Sequence, residues 1–284
     1  MLILSDLDFT LLKTDLSTSD YTKEIWNKTA NKHKLSIATA RSYTGVSELL
    51  KGLNLTEPLI LLDGTIIAAP NGDIIHMNSL DSQIGDEVID IVAKEIKLYP
   101  LIVAYEDGSE EFFYPKELNS FQQEIIKTMK NRKRIFENST LRAKEHNLKM
   151  VYMSTKEDAN RLTTTLKNRF GNEVEVKSFQ DPYIDCYFST VLHPKGDKAH
   201  ALAKLEEIEG VEASNTTVFG DSHNDIGLFK KAGTKIAVAN AIDELKEIAD
   251  IVLPHTNDED AVAKYLDKNI LKWAKHTLRA KIAL

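Results

Sequence analysis

The chain has 284 residues, 42% of them hydrophobic and 28% charged, with a net charge of −7. That length suggests about two domains, each able to bury a substantial core, in an ordinary globular protein. The acidic balance argues against a generic nucleic-acid binder, and no apolar run reaches membrane-spanning length, which argues against a membrane protein. The single cysteine, Cys186, allows no intrachain disulfide, and the N-terminus shows no basic region followed by a cleavage site. Both fit a reducing cytoplasm.

The first element is the apolar run Leu2-Ile3-Leu4, which reads as a buried parallel strand and ends in Asp6 and Asp8. Thr22 to Lys32 reads as a helix anchored by Ile25 and Trp26. Leu35 to Ala38 is a second strand, followed by Thr39-Ala40-Arg41-Ser42, and a helix is expected over 47–51, stopped by Gly52. Leu59 to Leu62 is a third strand, after which Asp63-Gly64 reads as a turn with no further role. Pro70-Asn71-Gly72-Asp73 marks a hairpin.

From about Gln83 the pattern changes. Val88, Ile89, Val92 and Ile96 mark an amphipathic helix, and Asp107-Gly108 joins two strands into a hairpin. A helix carrying Leu118, Phe121, Ile125 and Met129 ends in the basic segment Lys130 to Arg134, where cations suit the helix dipole. Leu148 to Met153 is a strand, Ala159 to Phe170 a helix closed by Gly171, and strands follow at 174–176 and 184–192. Cys186 reads as a small buried thiol on the last of these. Residues 83–190 therefore form an inserted α+β unit. Its polar residues Arg132, Arg134, Arg142, His146 and Lys149 are candidates for substrate selection.

Beyond it the first pattern returns. A helix carries Ala199, Leu202, Leu205 and Ile208; the strand Thr216 to Phe219 ends in Gly220-Asp221-Ser222-His223-Asn224-Asp225; and a strand at 234–238 ends in Ala239-Asn240-Ala241. A short helix over 243–249 and a strand over 251–253 follow, and Lys264 to Lys281 reads as a terminal helix packed on its own core. The expectation is an α/β fold: a doubly wound parallel sheet, residues 1–82 and 191–284, interrupted by the insertion at 83–190.

Parallel strands share a C-terminal edge, so Asp6 with Asp8, Thr39, Lys198, and Asp221 with Asn224 and Asp225 can meet in one crevice. Three carboxylates brought together repel, and a hard cation such as Mg2+ relieves that repulsion. A hydroxyl and a lysine suit the remaining oxygens of a phosphoryl group, so the set calls for a phosphate ester. The eight histidines show no zinc-ligand spacing.

Asp6-Leu7-Asp8-Phe9-Thr10, Thr39, Lys198 and Gly220 to Asp225 resemble, in order and spacing, the four motifs of the haloacid dehalogenase superfamily. The insertion and the tail through Ala239-Asn240-Ala241 are similar to its subfamily IIB, the Cof-type and sucrose-phosphatase-like branch with a C2 cap. The resemblance implies a Rossmann-like core with an inserted cap and a Mg2+-dependent phosphatase acting on a small phosphorylated metabolite such as a sugar phosphate. It implies that Asp6 is the nucleophile and Asp8 the general acid and base. Asp6, the Asp8 backbone carbonyl and Asp221 hold the metal, with Asp225 in support. Thr39, Lys198, Asn224 and Asn240 lie on the phosphoryl side. Lys198 is in better register than Lys195 for the lysine of the third motif. Phe9 departs from the glycine common in the family, and Ala40 from the usual Thr-Gly-Arg. A phosphomutase, or a binding protein on the same fold with Phe9 blocking chemistry, are the alternatives.

Overall fold

The protein is described by a computed structural model that covers residues 1–129, 134–180 and 186–271. In chain order it begins with β1 (Leu2–Ser5), α1 (Asp20–Ala30), β2 (Lys34–Ile37), α2 (Tyr43–Val46), β3 (Leu59–Leu61), β4 (Ile66–Ala68) and β5 (Ile74–Met77). Next come α3 (Ser82–Glu95), β6 (Leu101–Glu106), β7 (Ser109–Pro115), α4 (Ser120–Met129), β8 (Ile135–Asn138), β9 (Asn147–Ser154), α5 (Lys156–Phe170), β10 (Glu175–Gln180) and β11 (Tyr187–Leu192). The chain continues with α6 (Lys198–Glu209), β12 (Thr216–Gly220), α7 (Ile226–Lys231), β13 (Thr234–Ala237), α8 (Asp243–Glu247), β14 (Ile251–Val252) and α9 (Ala261–Tyr265).

Two compact units result: Met1–His76 with Lys198–Leu284, and Met77–Asp197. The borders fall at 76/77 rather than 82/83, because Leu80 bridges Asn147 and buries in the second unit's core, and at 197/198 rather than 190/191, because β11 pairs there with β9 and β10.

In the first unit five strands run parallel in the order β14-β13-β12-β1-β2. The sequence goes from β1 to β2 on one side and returns to β12 on the other, so the C-terminal ends of β1 and β12 flank a topological switch point. All four residues of β1 are buried, as an apolar strand between two neighbours must be. A bridge from Ala38 to Ile60 carries the sheet edge on to the three-stranded set β3-β4-β5, in which β3 and β4 run antiparallel. Helices flank the sheet, α1 packing with α9 and α6 with α7. Ser42 caps α2 by accepting from the Gly45 N–H, so this helix begins just after Arg41 rather than at Ser47.

The second unit is a six-stranded sheet in the order β10-β11-β9-β6-β7-β8. Val88, Ile89 and Val92 of α3 and Leu162, Leu166 and Phe170 of α5 bury against Ile102, Met150 and Val191 of the strands. The β6–β7 turn places Asp107 at φ 47° and Gly108 at φ 77°, the left-handed pair that a two-residue hairpin demands. Strand β8, absent from the sequence reading, pairs in parallel with β7 and stacks Phe136 on Phe113 at 5.5 Å between centroids. Arg134 bonds Glu111 at 3.0 Å and Arg142 bonds Asp90 at 2.8 Å, while His146 Nδ1 lies 3.3 Å from Ser79 Oγ. Arg132, the rest of the basic segment before Arg134, and the terminal helix beyond Leu271 lie outside the described residues. Among the described residues no helix is long and apolar enough to cross a membrane.

Because β1 anchors the parallel sheet, Leu4→Ala, which empties a fully buried position, is expected to lower unfolding free energy by about 2–5 kcal/mol. Urea unfolding followed by circular dichroism measures this.

Candidate active site

Strand β1 delivers Asp6 to the sheet edge, where the Asp6 N–H donates to the Phe219 carbonyl of β12 at 2.9 Å. Strand β12 delivers Asp221 to the same edge through Gly220. A Cβ on Gly220 would lie 2.7 Å from Asp225 Oδ2, so only glycine lets that carboxylate fold back under the strand end. Asp225 is fully buried, and its Oδ2 accepts the N–H groups of Asp221 and Ser222 at 3.1 and 3.2 Å.

Lys198, at the start of α6, binds these two elements together. Its side chain is 1% exposed, and Nζ donates to Asp6 Oδ1 at 2.6 Å and to Asp225 Oδ1 at 2.7 Å. Lys195 is exposed. Burial opposes the charge on Lys198, but Asp225 and Asp6 outweigh it and hold the ammonium above its ordinary range. Burial raises Asp6 well above the usual carboxylate range; Lys198 counters this, while Asp225 and Asp221 add to it. Asp221 is raised to about 7, first by burial and then by Asp225.

Asp8 is turned away from this cluster. Arg41 grips its carboxylate at both oxygens, with Nε at 2.8 and 3.0 Å and Nη2 at 2.6 Å, a bidentate charge-assisted pair. Between Asp6 and Asp8 on one side and Thr10 on the other, the loop bends through Phe9 at φ 57°, the left-handed region. That explains why glycine suits this position in the family pattern, and Phe9 holds the conformation at a cost of roughly 1–2 kcal/mol. Thr10 then points its hydroxyl at Asp221 Oδ1, 2.8 Å away.

Thr39 ends β2 fully buried, its N–H on the Ile60 carbonyl and its Oγ1 accepting from the Arg41 N–H at 3.2 Å. Asn224 donates to Asp63 Oδ1 at 3.1 Å, and Asn240 donates to the Phe9 carbonyl at 2.8 Å. Each amide nitrogen has a second N–H beyond the one so used. Asp63, read from sequence as a turn residue, thus meets Asn224 through a loop in which Leu62 and Asp63 both have positive φ. Arg41 and Thr10 stand within motifs quoted from the sequence and Asp63 was read there as a turn residue, but nothing in one sequence says which way a side chain turns.

One oxygen each from Asp6, Asp221 and Asp225 lies within 4.8 Å of the others. Three buried carboxylates against one ammonium leave an excess of negative charge, and an all-oxygen donor set fits a hard cation of the Mg2+ or Ca2+ kind. Asp225 already spends both oxygens on Lys198 and backbone N–H groups. Asp6 and Asp221 each have an oxygen beyond those engaged by Lys198 and Thr10.

Residues 3–266 match the family model of the haloacid dehalogenase-like hydrolases. The chain is 26% identical over 287 residues to the 5-amino-6-(5-phospho-D-ribitylamino)uracil phosphatase YwtE of Bacillus subtilis, covering 93% of this chain and 96% of that one. A crystal structure from Thermotoga maritima superposes with a TM-score of 0.75 at 26% identity, over 94% of this chain and 96% of the other. A sugar phosphatase of subclass IIB of the same superfamily superposes with a TM-score of 0.73 at 19% identity, over 94% and 97%.

The raised carboxyl of Asp221 has a consequence for stability. Its folded value of about 7 lies above the ordinary 3.8, so the folded chain binds the extra proton between those limits. The contribution is full below about pH 4 and is lost as pH rises through 7. In chelator, the melting temperature should fall from pH 5 to pH 8, and Asp221→Asn should flatten that slope, as read by differential scanning fluorimetry.

Proposed function

The chain belongs to the haloacid dehalogenase-like hydrolase family, and on that premise we propose that it is a phosphatase, as its relatives are named, hydrolysing a small phosphorylated metabolite, with Mg2+, through an aspartyl-phosphate on Asp6. The observation that carries this reading is the Lys198 ammonium bonded to both Asp6 and Asp225 beside Asp221, at the C-terminal edge of the parallel sheet.

Lys198 fixes one oxygen of Asp6, which leaves the other to attack phosphorus. The P–O bond to the leaving group breaks as the Asp6–P bond forms, and Asp8, which first takes up a proton from solvent as its carboxylate leaves Arg41, gives that proton to the departing oxygen. Asp8 then takes a proton from water, whose oxygen attacks the same phosphorus and frees Asp6 as inorganic phosphate departs. Arg41 holds the Asp8 carboxylate at rest, so the leaving-group oxygen competes with the guanidinium for it. Thr39, the second N–H of Asn224 and the ammonium of Lys198 suit the equatorial oxygens of the phosphoryl group. Asp6, Asp221 and the Asp8 carbonyl are the groups to hold Mg2+, with Asp225 in support. Bound there, Mg2+ supplies charge neutralisation between carboxylates and phosphoryl group.

A phosphorylated sugar or polyol is the substrate class this reading favours, because YwtE is named for a phosphoribityl compound and the subclass IIB protein is named a sugar phosphatase. Selection of the leaving group is assigned to the inserted unit, 83–190 in the sequence reading. The single cysteine supports a cytoplasmic setting.

Phosphate release from a panel of phosphorylated sugars, polyols and nucleotides tests the proposal. Release should require added Mg2+ after chelation, and Asp6→Asn should lower it by at least about a thousandfold without lowering the melting temperature. Retained turnover in that variant would remove Asp6 from its role.

A further inference from the structure

The loop from Leu7 to Leu12 carries Asp8 at one end and presents Thr10 to Asp221, and the Leu12 N–H closes it by donating to the Leu7 carbonyl at 2.8 Å. At its tip stands Phe9, left-handed at φ 57° and ψ 10°. A non-glycine residue keeps such a conformation only where its surroundings hold it there. Here two asparagines from a distant stretch of chain do so. The Phe9 carbonyl accepts from Asn240 Nδ2 at 2.8 Å, and Asn240 Oδ1 accepts from the Asn257 N–H at 3.0 Å. The side chain of Asn257, 3% exposed, donates to the Leu12 carbonyl at 3.0 Å. Its neighbour Asp258 accepts the N–H and the hydroxyl of Thr14, both at 2.8 Å.

The chemistry of these groups fixes the direction of the chain of bonds. A backbone N–H can only donate, so Asn257 must face the oxygen of the Asn240 amide, which turns the Asn240 nitrogen to Phe9. The carbonyl of Phe9 can only accept, so the amide is locked in one orientation at both ends. Asn257 thus acts on both the tip of the loop, through Asn240, and its exit, through Leu12.

We propose that Asn240 and Asn257 form a positioning clamp that holds Phe9 in its left-handed conformation and so aims Asp8 for proton transfer, an inference that rests on the phosphatase reading for the role of Asp8. Neither residue touches the reacting atoms in this role. The clamp compensates locally for the absence of glycine at position 9, and a glycine there should make it dispensable.

The test is a double-mutant cycle with two readouts, hydrogen–deuterium exchange of the peptide spanning residues 7–12 and steady-state hydrolysis of 4-nitrophenyl phosphate with Mg2+. Asn240→Ala should speed exchange at the Leu12 amide by about tenfold, the loss of one hydrogen bond to a strained loop. It should lower kcat by a similar factor with KM within about twofold. Asn257→Asp, which turns a donor to Leu12 into an acceptor, should act in the same direction. Adding Phe9→Gly to Asn240→Ala should restore both protection and kcat, which a general loosening of the fold would not do. Unchanged exchange in Asn240→Ala, or failure of Phe9→Gly to restore it, would overturn the clamp. Absence of phosphate release from the wild type, with the exchange pattern as expected, would contradict the phosphatase reading and leave the clamp standing.

Discussion

Three carboxylates share a buried crevice with a single ammonium, and most of this structure serves to make that arrangement possible. Asp6, Asp221 and Asp225 arrive from two adjacent parallel strands, and Lys198 comes from a helix that follows the insertion. Lysine is rarely buried unless paired, and here the pairing with Asp6 and Asp225 is what allows it. The same pairing limits how far Asp6 is pushed from the ionised form by burial. Removing the lysine would leave uncompensated buried charge, the situation that costs most in a protein interior. The excess negative charge that remains makes a cation-dependent site physically reasonable.

Backbone geometry sets the precision with which those groups meet. Gly220 has to lack a side chain for Asp225 to approach β12, and Asp225 in turn ties down the N–H groups of Asp221 and Ser222. Strand β1 ends at Ser5 and the chain enters the Leu7–Leu11 turn between the two aspartates, so Asp6 is directed to Lys198 and Asp8 to Arg41, while the left-handed Phe9 lies beyond both. Two aspartates one residue apart would share a face on a regular strand. The turn gives them different partners, and with them the means for different work.

Much of the sheet could be read from residues alone, since apolar runs such as Leu2–Leu4 and Leu59–Leu61 have only one good place in an α/β fold. Polar groups at the strand ends then pointed to one crevice, and the approach of Lys198 rather than Lys195 follows its position at the head of α6. Strand β8 escaped because four residues beside a basic segment, with Phe136 half outside, carry no alternating pattern. The α2 helix was displaced because the Ser42 cap outweighs the apolar spacing further on. Arg41 on Asp8, Thr10 on Asp221 and Asn257 on Leu12 depend on long-range pairing and side-chain direction, which a single sequence does not encode in any local signal. Asn257 sits in an Asn-Asp-Glu-Asp run that reads as a solvated turn, yet its side chain is buried.

Everything in the functional account turns on a covalent bond between phosphorus and the side chain of Asp6. A phosphorylated sugar that the enzyme turns over, mixed with it and quenched in acid within the first turnovers, permits that bond to be sought by peptide mass spectrometry. The account predicts a phosphoryl adduct confined to the peptide that contains Asp6, formed with Mg2+ and absent from Asp6→Asn. Phosphate release with no adduct on that peptide, or with the adduct on another residue, would contradict it.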